Sequence, residues 1–288
     1  IARQTVQPVR WVIVDDGSTD DTSVRVRARC MNLPFVQLAR MPSGRPRSFA
    51  SQVYAAEHGY ELARKLDYEF IGFLDADIRI GPDYYERLMS LFENTPQLGL
   101  GGGVVIDEYA DRSENVRQGS EEFHVAGGVQ FFRRECFEKI GGYVPVEGGG
   151  QDTIADVMAM MHGWRVRAFT ELPARHLRPE GFGKSNPFQR GMKWGRKFYL
   201  IGYHPLFFFA QCARRLGRRP AVFGSLCQLL GFGLATLGGD PRPVPTGFIC
   251  FLRAMQMRRL RESLRLISPQ KPRTEMAPSM SEDTHIAE

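Results

Sequence analysis

The sequence lacks paired cysteines. Its five cysteines are scattered over 288 residues and never show a Cys-x-x-Cys spacing. An odd set of widely spaced cysteines is not typical of an extracellular disulfide scaffold, and without paired spacings the common zinc-site motifs are excluded. We therefore expect reduced thiols in a cytosolic compartment, most of them serving as small core residues.

Acidic residues are scarce in the last third of the chain. Residues 175–273 hold 19 Lys and Arg but only 3 Asp and Glu, which the net charge of +6 conceals. A basic surface of this kind can meet phosphates, anionic lipid or nucleic acid, whereas the mildly acidic earlier part could hold a metal ion. Nucleic acid is not expected as a partner, because the aromatic and apolar content of the basic segment fits a lipid interface better.

Apolar runs free of polar residues and glycine are also lacking. Residues 221–239, AVFGSLCQLLGFGLATLGG, are long enough to span a bilayer, yet Gln228 and five glycines interrupt them. An interfacial or core helix fits this stretch at least as well as a membrane span. The following FLRAMQMRRLRESLRLI predicts a basic amphipathic helix, and the composition of the last twenty or so residues predicts disorder.

Buried-strand patterns alternate with helix-period patterns in the first part of the chain. A strand is predicted at Val9–Val14, followed by a polar turn and a helix for which Asp20 or Asp21 is the cap. Further elements are predicted as a helix over 49–65, a strand in YEFIGFLDADI, a helix from Pro82, a strand in LGLGGGVVIDEY and a helix ending before Gly163. This alternation favours an α/β sheet with ligands at the carboxyl ends of its strands.

Two acidic motifs follow apolar strands. Asp15 and Asp16 end the first strand, and Asp75 and Asp77 end the FIGFL run. Burying an unpaired carboxylate is costly, so these groups need a cation or solvent beside them. The pattern therefore predicts a charged ligand site at this edge of the sheet.

Four ordered motifs carry a family resemblance: VIVDDGSTDDT, FLDAD, GGVQFFRRECFEKIGGY and QDTIADVMAMMHGWRV. In this order and spacing they resemble the family-two glycosyltransferases. The resemblance implies a GT-A fold, a mixed and mostly parallel sheet flanked by helices, over residues 1–180. A helical, basic and aromatic region follows over 181–267, with membrane association as one possibility, and 268–288 is the disordered tail.

The resemblance implies an inverting, metal-dependent transfer of a sugar from a nucleotide-diphosphate sugar to an acceptor hydroxyl. Asp75 and Asp77 match the DxD motif, with Asp77 as the direct metal ligand and Asp75 nearer the ribose or a metal-bound water. His176 is placed like a further metal ligand, although a lone histidine is as often structural. Mg2+ or Mn2+ is the expected ion.

Nucleotide-sugar binding is implied for a second set of residues. Asp15 and Asp16, with Ser18, match the pair that recognises the base and ribose, although the same residues could form only an Asx-type turn. Gly127 and Gly128 suggest that the backbone must approach a ligand closely. Arg178, like Lys184, could hold a diphosphate, or could belong to a solvated charged face.

Asp152 matches the catalytic base of an inverting displacement. Gln151 stands where the family usually has glutamate, so a charge that would neighbour the base is absent. A plain helix cap is the alternative role for Asp152, and Asp156, one turn later, is a weaker candidate base.

The sequence also departs from the family at its beginning. Family members start with an extra strand that cradles the nucleotide, and we expect this strand to be missing from the present sequence. Gln151 and the missing strand favour an alternative in which the chain is an inactive GT-A-like scaffold at the membrane. The preferred expectation is an enzyme of bacterial cell-envelope or exopolysaccharide assembly on the cytoplasmic face of the inner membrane. Its donor would be a UDP-, GDP- or dTDP-sugar, and its acceptor lipid-linked or a saccharide.

Overall fold

A computed structural model describes residues 1–42, 49–108, 116–118, 123–177, 186–216 and 221–267. The predicted tail at 268–288 lies outside them. The strands are β1 (Trp11–Asp15), β2 (Val36–Arg40), β3 (Phe70–Gly72), β4 (Ile78–Arg79), β5 (Leu98–Asp107), β6 (Val116–Gln118), β7 (Phe131–Arg133) and β8 (Arg165–His176). The helices are α1 (Thr22–Cys30), α2 (Phe49–Ala63), α3 (Tyr84–Glu93), α4 (Arg134–Ile140), α5 (Gln151–Met161), α6 (Pro187–Ile201), α7 (Pro205–Leu216), α8 (Ala221–Gly238) and α9 (Thr246–Ile267).

The N-terminal strands form a small parallel sheet of their own. β1 pairs with β2 in parallel register from Trp11 opposite Val36 to Asp15 opposite Arg40. Helix α2 packs on β1, where Gly59 allows a close approach to the Val14 side chain. In the described ranges β1 has no other strand partner. The expectation that a further strand belongs beside it stays a prediction.

The larger sheet has six strands in the order β3-β7-β5-β8-β4, with β6 on β5. The α/β class and the mixed sheet flanked by helices are confirmed. Among the described pairings only β1–β2 and β5–β8 are parallel. β7 runs antiparallel to both of its neighbours, and β4 is antiparallel to β8. Period and composition do not determine strand direction, which depends on how distant segments pair.

The predicted strand YEFIGFLDADI is interrupted in the structure. β3 ends at Gly72, and β4 begins again at Ile78 against β8. Between them the backbone N–H of Asp75 donates to the carbonyl of Gly128 at 3.0 Å, and Ile78 N–H donates to the carbonyl of Asp75 at 3.1 Å. The acidic motif is therefore a loop held by backbone hydrogen bonds, not the end of a continuous strand.

The four C-terminal helices pack on α5. Ile154 and Val157 of α5 share a buried cluster with side chains of α6 to α9, among them Tyr199, Phe208, Phe232 and Phe248. Burying these large apolar groups provides most of the driving force for the docking of the helices.

Gly231 of α8 and Gly195 of α6 have a packing role. A Cβ on Gly195 of α6 would lie 2.0 Å from the carbonyl oxygen of Gln228 in α8, and one on Gly231 would lie 2.2 Å from that of Met192. The two helices therefore cross with their backbones in contact, which supports the core-helix alternative for this stretch. Among the described helices, none combines the length and the apolarity that crossing a membrane requires.

Candidate functional site

The Asp75 carboxylate lies among three segments of the chain. Its Oδ1 accepts a hydrogen bond from the side-chain amide of Gln52 in α2 at 2.8 Å. A Cβ on Gly128 would lie 2.8 Å from Asp75 Oδ2, so a larger residue there would displace the carboxylate. The predicted need for glycine is thus explained by contact with Asp75.

Gln151 takes part in the same network. Its amide nitrogen donates to Gln52 Oε1 at 3.0 Å, and Gln52 in turn donates to Asp75. A glutamate at 151 could not donate this hydrogen bond, so Gln52 would have to turn its amide and lose its donor to Asp75. Gln151, which departs from the family pattern, therefore orients the amide of Gln52 so that Gln52 can donate to Asp75.

Asp77 and His176 form the second part of the site. His176 is opposite Ile78 in the β4–β8 pairing, which places its Nε2 at 3.6 Å from Asp77 Oδ2. The Nδ1 of His176 is 2.9 Å from Asp107 Oδ1, and both residues are buried. A carboxylate on the remote ring nitrogen orients a metal-binding histidine and raises its basicity.

The side chains at this site can supply only part of the ligand set of a hard divalent cation. Asp77 and His176 can supply one oxygen and one nitrogen ligand, and Asp107 is available to hold the imidazole. Within the described ranges no group of three His, Cys, Asp or Glu is arranged to hold a metal. Asp75, the third predicted ligand, is turned toward Gln52. An ion held here would need further oxygen ligands from its substrate or from water.

Asp152 lies on the other side of the Gly127–Gly128 turn. A Cβ on Gly127 would lie 3.3 Å from the Cβ of Asp152, whereas Gly128 contacts Asp75. Gly150 holds the N-cap position of α5, so Asp152 is in the first turn of the helix and is not its cap. Its side chain is partly exposed, with a relative accessibility of 26%. Asp152 is therefore open to solvent while close to the acidic loop.

Asp156 is placed differently from Asp152. It is 1% exposed, and burial raises the pKa of its carboxyl to about 7. Gln130 donates to its Oδ1 at 3.2 Å, and Tyr143 donates to Gln130 Oε1 at 2.8 Å. Burial, followed by the nearby charges of Asp152, Asp156 and Asp75, raises the pKa of Tyr143 well above its usual value. Because it has no access to solvent, Asp156 is poorly placed to reach an acceptor.

The glycine-rich loop before Asp152 is held by α6. A Cβ on Gly148 would lie 2.9 Å from the Cβ of Lys197, and one on Gly150 would lie 2.6 Å from Ile201 Cδ1. Gly150 also has a φ of 100°, which disfavours any other residue. The buried positions of Tyr199, Leu200 and Ile201 show that this basic, aromatic helix packs on the rest of the domain. The C-terminal region therefore positions the loop that carries Asp152.

The first acidic pair is divided between two roles. Asp15 is buried and accepts hydrogen bonds from the Ser18 backbone N–H at 2.8 Å and from the Ser23 hydroxyl. Burial acts to raise the pKa of Asp15, but the hydrogen bonds from Ser23 and Ser18 outweigh it and lower that pKa. Asp15 therefore forms the turn that the sequence offered as an alternative. Asp16 is half-buried, and among the described residues its carboxylate has no hydrogen-bond or ion-pair partner.

Arg178 and Lys184 lie outside the described residues, so their predicted contact with a diphosphate stays a prediction.

Several residues of the site were missed by sequence reasoning. Asp107 had a signal, because it ends an apolar strand as the acidic motifs do. The others are single polar residues whose role depends on partners far away in the chain: Gln52, His124, Gln130 and Tyr143.

Comparison with known proteins gives one family and a shared fold. A family model described as glycosyl transferase family 2 matches residues 1–144. No curated protein sequence matches the chain. The mannosyltransferase PcManGT from Pyrobaculum calidifontis, solved with GDP-Man and Mn2+, is similar with a TM-score of 0.50 and 15% identity over 94% of this chain and 81% of that one. GalNAc-T7, solved with UDP, GalNAc and Mn2+, is similar with a TM-score of 0.50 and 17% identity over 74% of this chain and 46% of that one.

Proposed function

The chain belongs to glycosyl transferase family 2 and is a glycosyltransferase with the GT-A fold. From this premise we propose that it is an inverting, metal-dependent enzyme. It transfers a sugar from a nucleotide-diphosphate sugar to an acceptor hydroxyl. One observation carries the proposal. Asp75 and Asp152, distant in sequence, lie against the two adjacent residues Gly127 and Gly128. A donor-binding carboxylate and a base thus share one small site.

A divalent ion, Mg2+ or Mn2+, would be held by Asp77 and His176 and would neutralise the charge of the leaving diphosphate. Two structural neighbours were solved with Mn2+ and a nucleotide or nucleotide sugar, which supports this assignment. Asp107 keeps the imidazole of His176 directed at Asp77. Asp75, fixed by Gln52, is left for the ribose or for a metal-bound water.

The nucleoside is assigned to the end of β1. Asp16 has an accessible carboxylate that can accept hydrogen bonds from a base imide or from ribose hydroxyls. Asp15 and Ser18 form the turn that presents Asp16, and Arg40 donates to the carbonyl of Ser18 at 2.8 Å.

Asp152 is assigned as the base. It takes the proton of the acceptor hydroxyl, whose oxygen forms a bond to the anomeric carbon as the bond from that carbon to the diphosphate breaks. A single displacement of this kind inverts the anomeric configuration. Partial exposure lets Asp152 meet an acceptor, and α6 holds its loop in place. Asp156 lacks that access.

Nucleotide titration tests the proposed donor site. We expect UDP or GDP to bind the full chain with an affinity at least about tenfold higher in Mn2+ than in EDTA, a difference of about 1.4 kcal/mol. Calorimetric titration measures both affinities, and circular dichroism confirms that the chain is folded. Equal binding with and without the metal would contradict metal dependence.

For the acceptor and the location we propose a lipid-linked saccharide or a related acceptor of cell-envelope assembly, reached at the cytoplasmic face of the inner membrane. Leucines of α8 project from the packed helices with about half or more of their surface exposed: Leu226, Leu230, Leu234 and Leu237. Basic residues greatly outnumber acidic ones in the same third of the chain. An exposed apolar stripe with basic surroundings is typical of an interfacial helix on anionic lipid.

Vesicle binding tests the interfacial helix. We expect the chain to sediment with phosphatidylglycerol vesicles and the double variant Leu230→Asp, Leu234→Asp to stay in the supernatant, because charge on the stripe opposes burial in lipid. The matched control places the same substitutions at Val24 and Met31, which are 68% and 79% exposed on the N-terminal part. Equal sedimentation of the two double variants would contradict the assignment of the stripe.

A further inference from the structure

His124 lies between two carboxylates of α5. Its Nδ1 is 2.6 Å from Asp156 Oδ2, and its Nε2 is 3.9 Å from Asp152 Oδ2. The first distance is that of a strong hydrogen bond, and the second is that of an ion pair slightly too long for a hydrogen bond. One imidazole therefore connects the buried carboxyl to the partly exposed one.

The buried end of this arrangement is tightly held. Asp156 binds His124 through one oxygen and Gln130 through the other, and Gln130 also donates to the backbone carbonyls of Val125 and Asp152. Tyr143 closes the network at the far side of Gln130. A side chain with these fixed partners cannot turn without leaving buried polar groups unpaired, so the imidazole has one orientation.

We propose that His124 is a positioning residue for Asp152, with Asp156 fixing the imidazole so that an Nε2–H is directed at the Asp152 carboxylate. The proposal rests on the role of Asp152 given above. Neither the proposed function nor the family resemblance requires a histidine at this position.

As long as the pair of His124 and Asp156 holds two protons, the position of the shared proton does not alter this result. If Asp156 is ionised, the imidazolium has N–H groups on both nitrogens; if Asp156 is protonated, it donates to Nδ1 and the neutral ring keeps its proton on Nε2. The raised pKa of Asp156, about 7, makes both forms accessible near neutrality. Either form directs an N–H donor at the Asp152 carboxylate and so holds the orientation of that carboxylate.

Among the described residues, charged and titratable groups near the imidazole come from three parts of the chain. α5 contributes Asp152 and Asp156, and the segment after α4 contributes Tyr143, whose hydroxyl is bonded to Gln130. From α9, Arg259 lies 5.2 Å from the ring centre of the adjacent Phe123.

Two amide substitutions of His124 distinguish a role in positioning Asp152 from a purely structural role. In His124→Asn the amide nitrogen can replace Nδ1 beside Asp156 but cannot reach Asp152, whereas in His124→Gln it can replace Nε2. We expect His124→Ala and His124→Asn to lower kcat about ten- to hundredfold with KM nearly unchanged, and His124→Gln to recover part of the loss. Full activity in His124→Asn would overturn the proposal, since it would show that only the contact with Asp156 matters.

A titration of the histidines tests the pairing without any catalytic assay. The chain has six histidines, and comparison with His124→Gln assigns the imidazole signal of His124 in a nuclear magnetic resonance spectrum. We expect its titration midpoint to fall in Asp152→Asn, because a neighbouring negative charge is removed. An unchanged midpoint would overturn the proposal. If instead the chain transferred no sugar while the midpoint moved, the proposed function would fail and the pairing would stand.

Discussion

Replacing Asp152 with asparagine is expected to lower kcat for sugar transfer about a hundredfold to ten-thousandfold, the range typical of a lost general base. Asparagine keeps the size of the side chain but cannot accept the acceptor's proton. Donor affinity should change little, because Asp152 lies beside Gly127 whereas the proposed donor-binding carboxylate, Asp75, lies beside Gly128. Steady-state kinetics with a radiolabelled donor measures kcat, and calorimetry measures the affinity.

A matched control for this variant is Glu135→Gln, the same chemical change at an exposed position in the first turn of α4. It should leave kcat unaltered. Wild-type activity in Asp152→Asn would refute the assignment of the base. Loss of activity in Asp156→Asn alone would transfer the assignment to Asp156, despite its burial.

Replacing Asp77 with asparagine is expected to weaken Mn2+-dependent nucleotide binding by more than about a hundredfold. Asp77 is the carboxylate that faces His176 Nε2, and an amide is a much poorer ligand for a hard cation than a carboxylate. Asp107→Asn should have a smaller effect, about ten- to hundredfold, because Asp107 acts on the metal only through His176. Calorimetric titration of UDP and GDP into each variant measures the series.

Asp83→Asn is the control for the Asp77 series, because the side chain of Asp83 is half-exposed at the start of α3. Mn2+-dependent nucleotide affinity should then be highest in the parent and in the Asp83→Asn control. It should be lower in Asp107→Asn and lowest in Asp77→Asn. Retained Mn2+-dependent binding in Asp77→Asn would refute the metal site, and a larger loss in Asp107→Asn than in Asp77→Asn would indicate that Asp107 itself contacts the ligand.

Several features of the fold could be predicted because their causes are local. The apolar run at Trp11–Val14, the helix over 49–63 and the long strand in LGLGGGVVID have periodicity or composition that identifies them without any partner. The glycosyltransferase family could be recognised because its motifs are short and ordered. The predicted approach of a ligand to the Gly127–Gly128 backbone stays a prediction, since the contacts of these glycines in the structure are with Asp152 and Asp75.

Other features depended on pairing between distant segments. The acidic loop leaves the sheet after Gly72, where the backbone N–H of Asp75 donates to the carbonyl of Gly128. No local pattern in the sequence indicates that hydrogen bond. The direction of β7 follows from its position between β3 and β5. Gly231 of α8, read as an interruption of an apolar span, is needed where α6 crosses it.

The sequence by itself determined the class of the fold, the family and the carboxylates available for chemistry, because residue type and spacing along the chain carry that information. Only the tertiary structure decided which of those carboxylates meet. It paired Asp77 with His176 and Asp107, turned Asp75 toward Gln52 and Gln151, and placed His124 between Asp152 and Asp156. The physical reason is that the charge state and orientation of a carboxylate depend on burial and on hydrogen-bond partners, which packing brings together from distant parts of the chain.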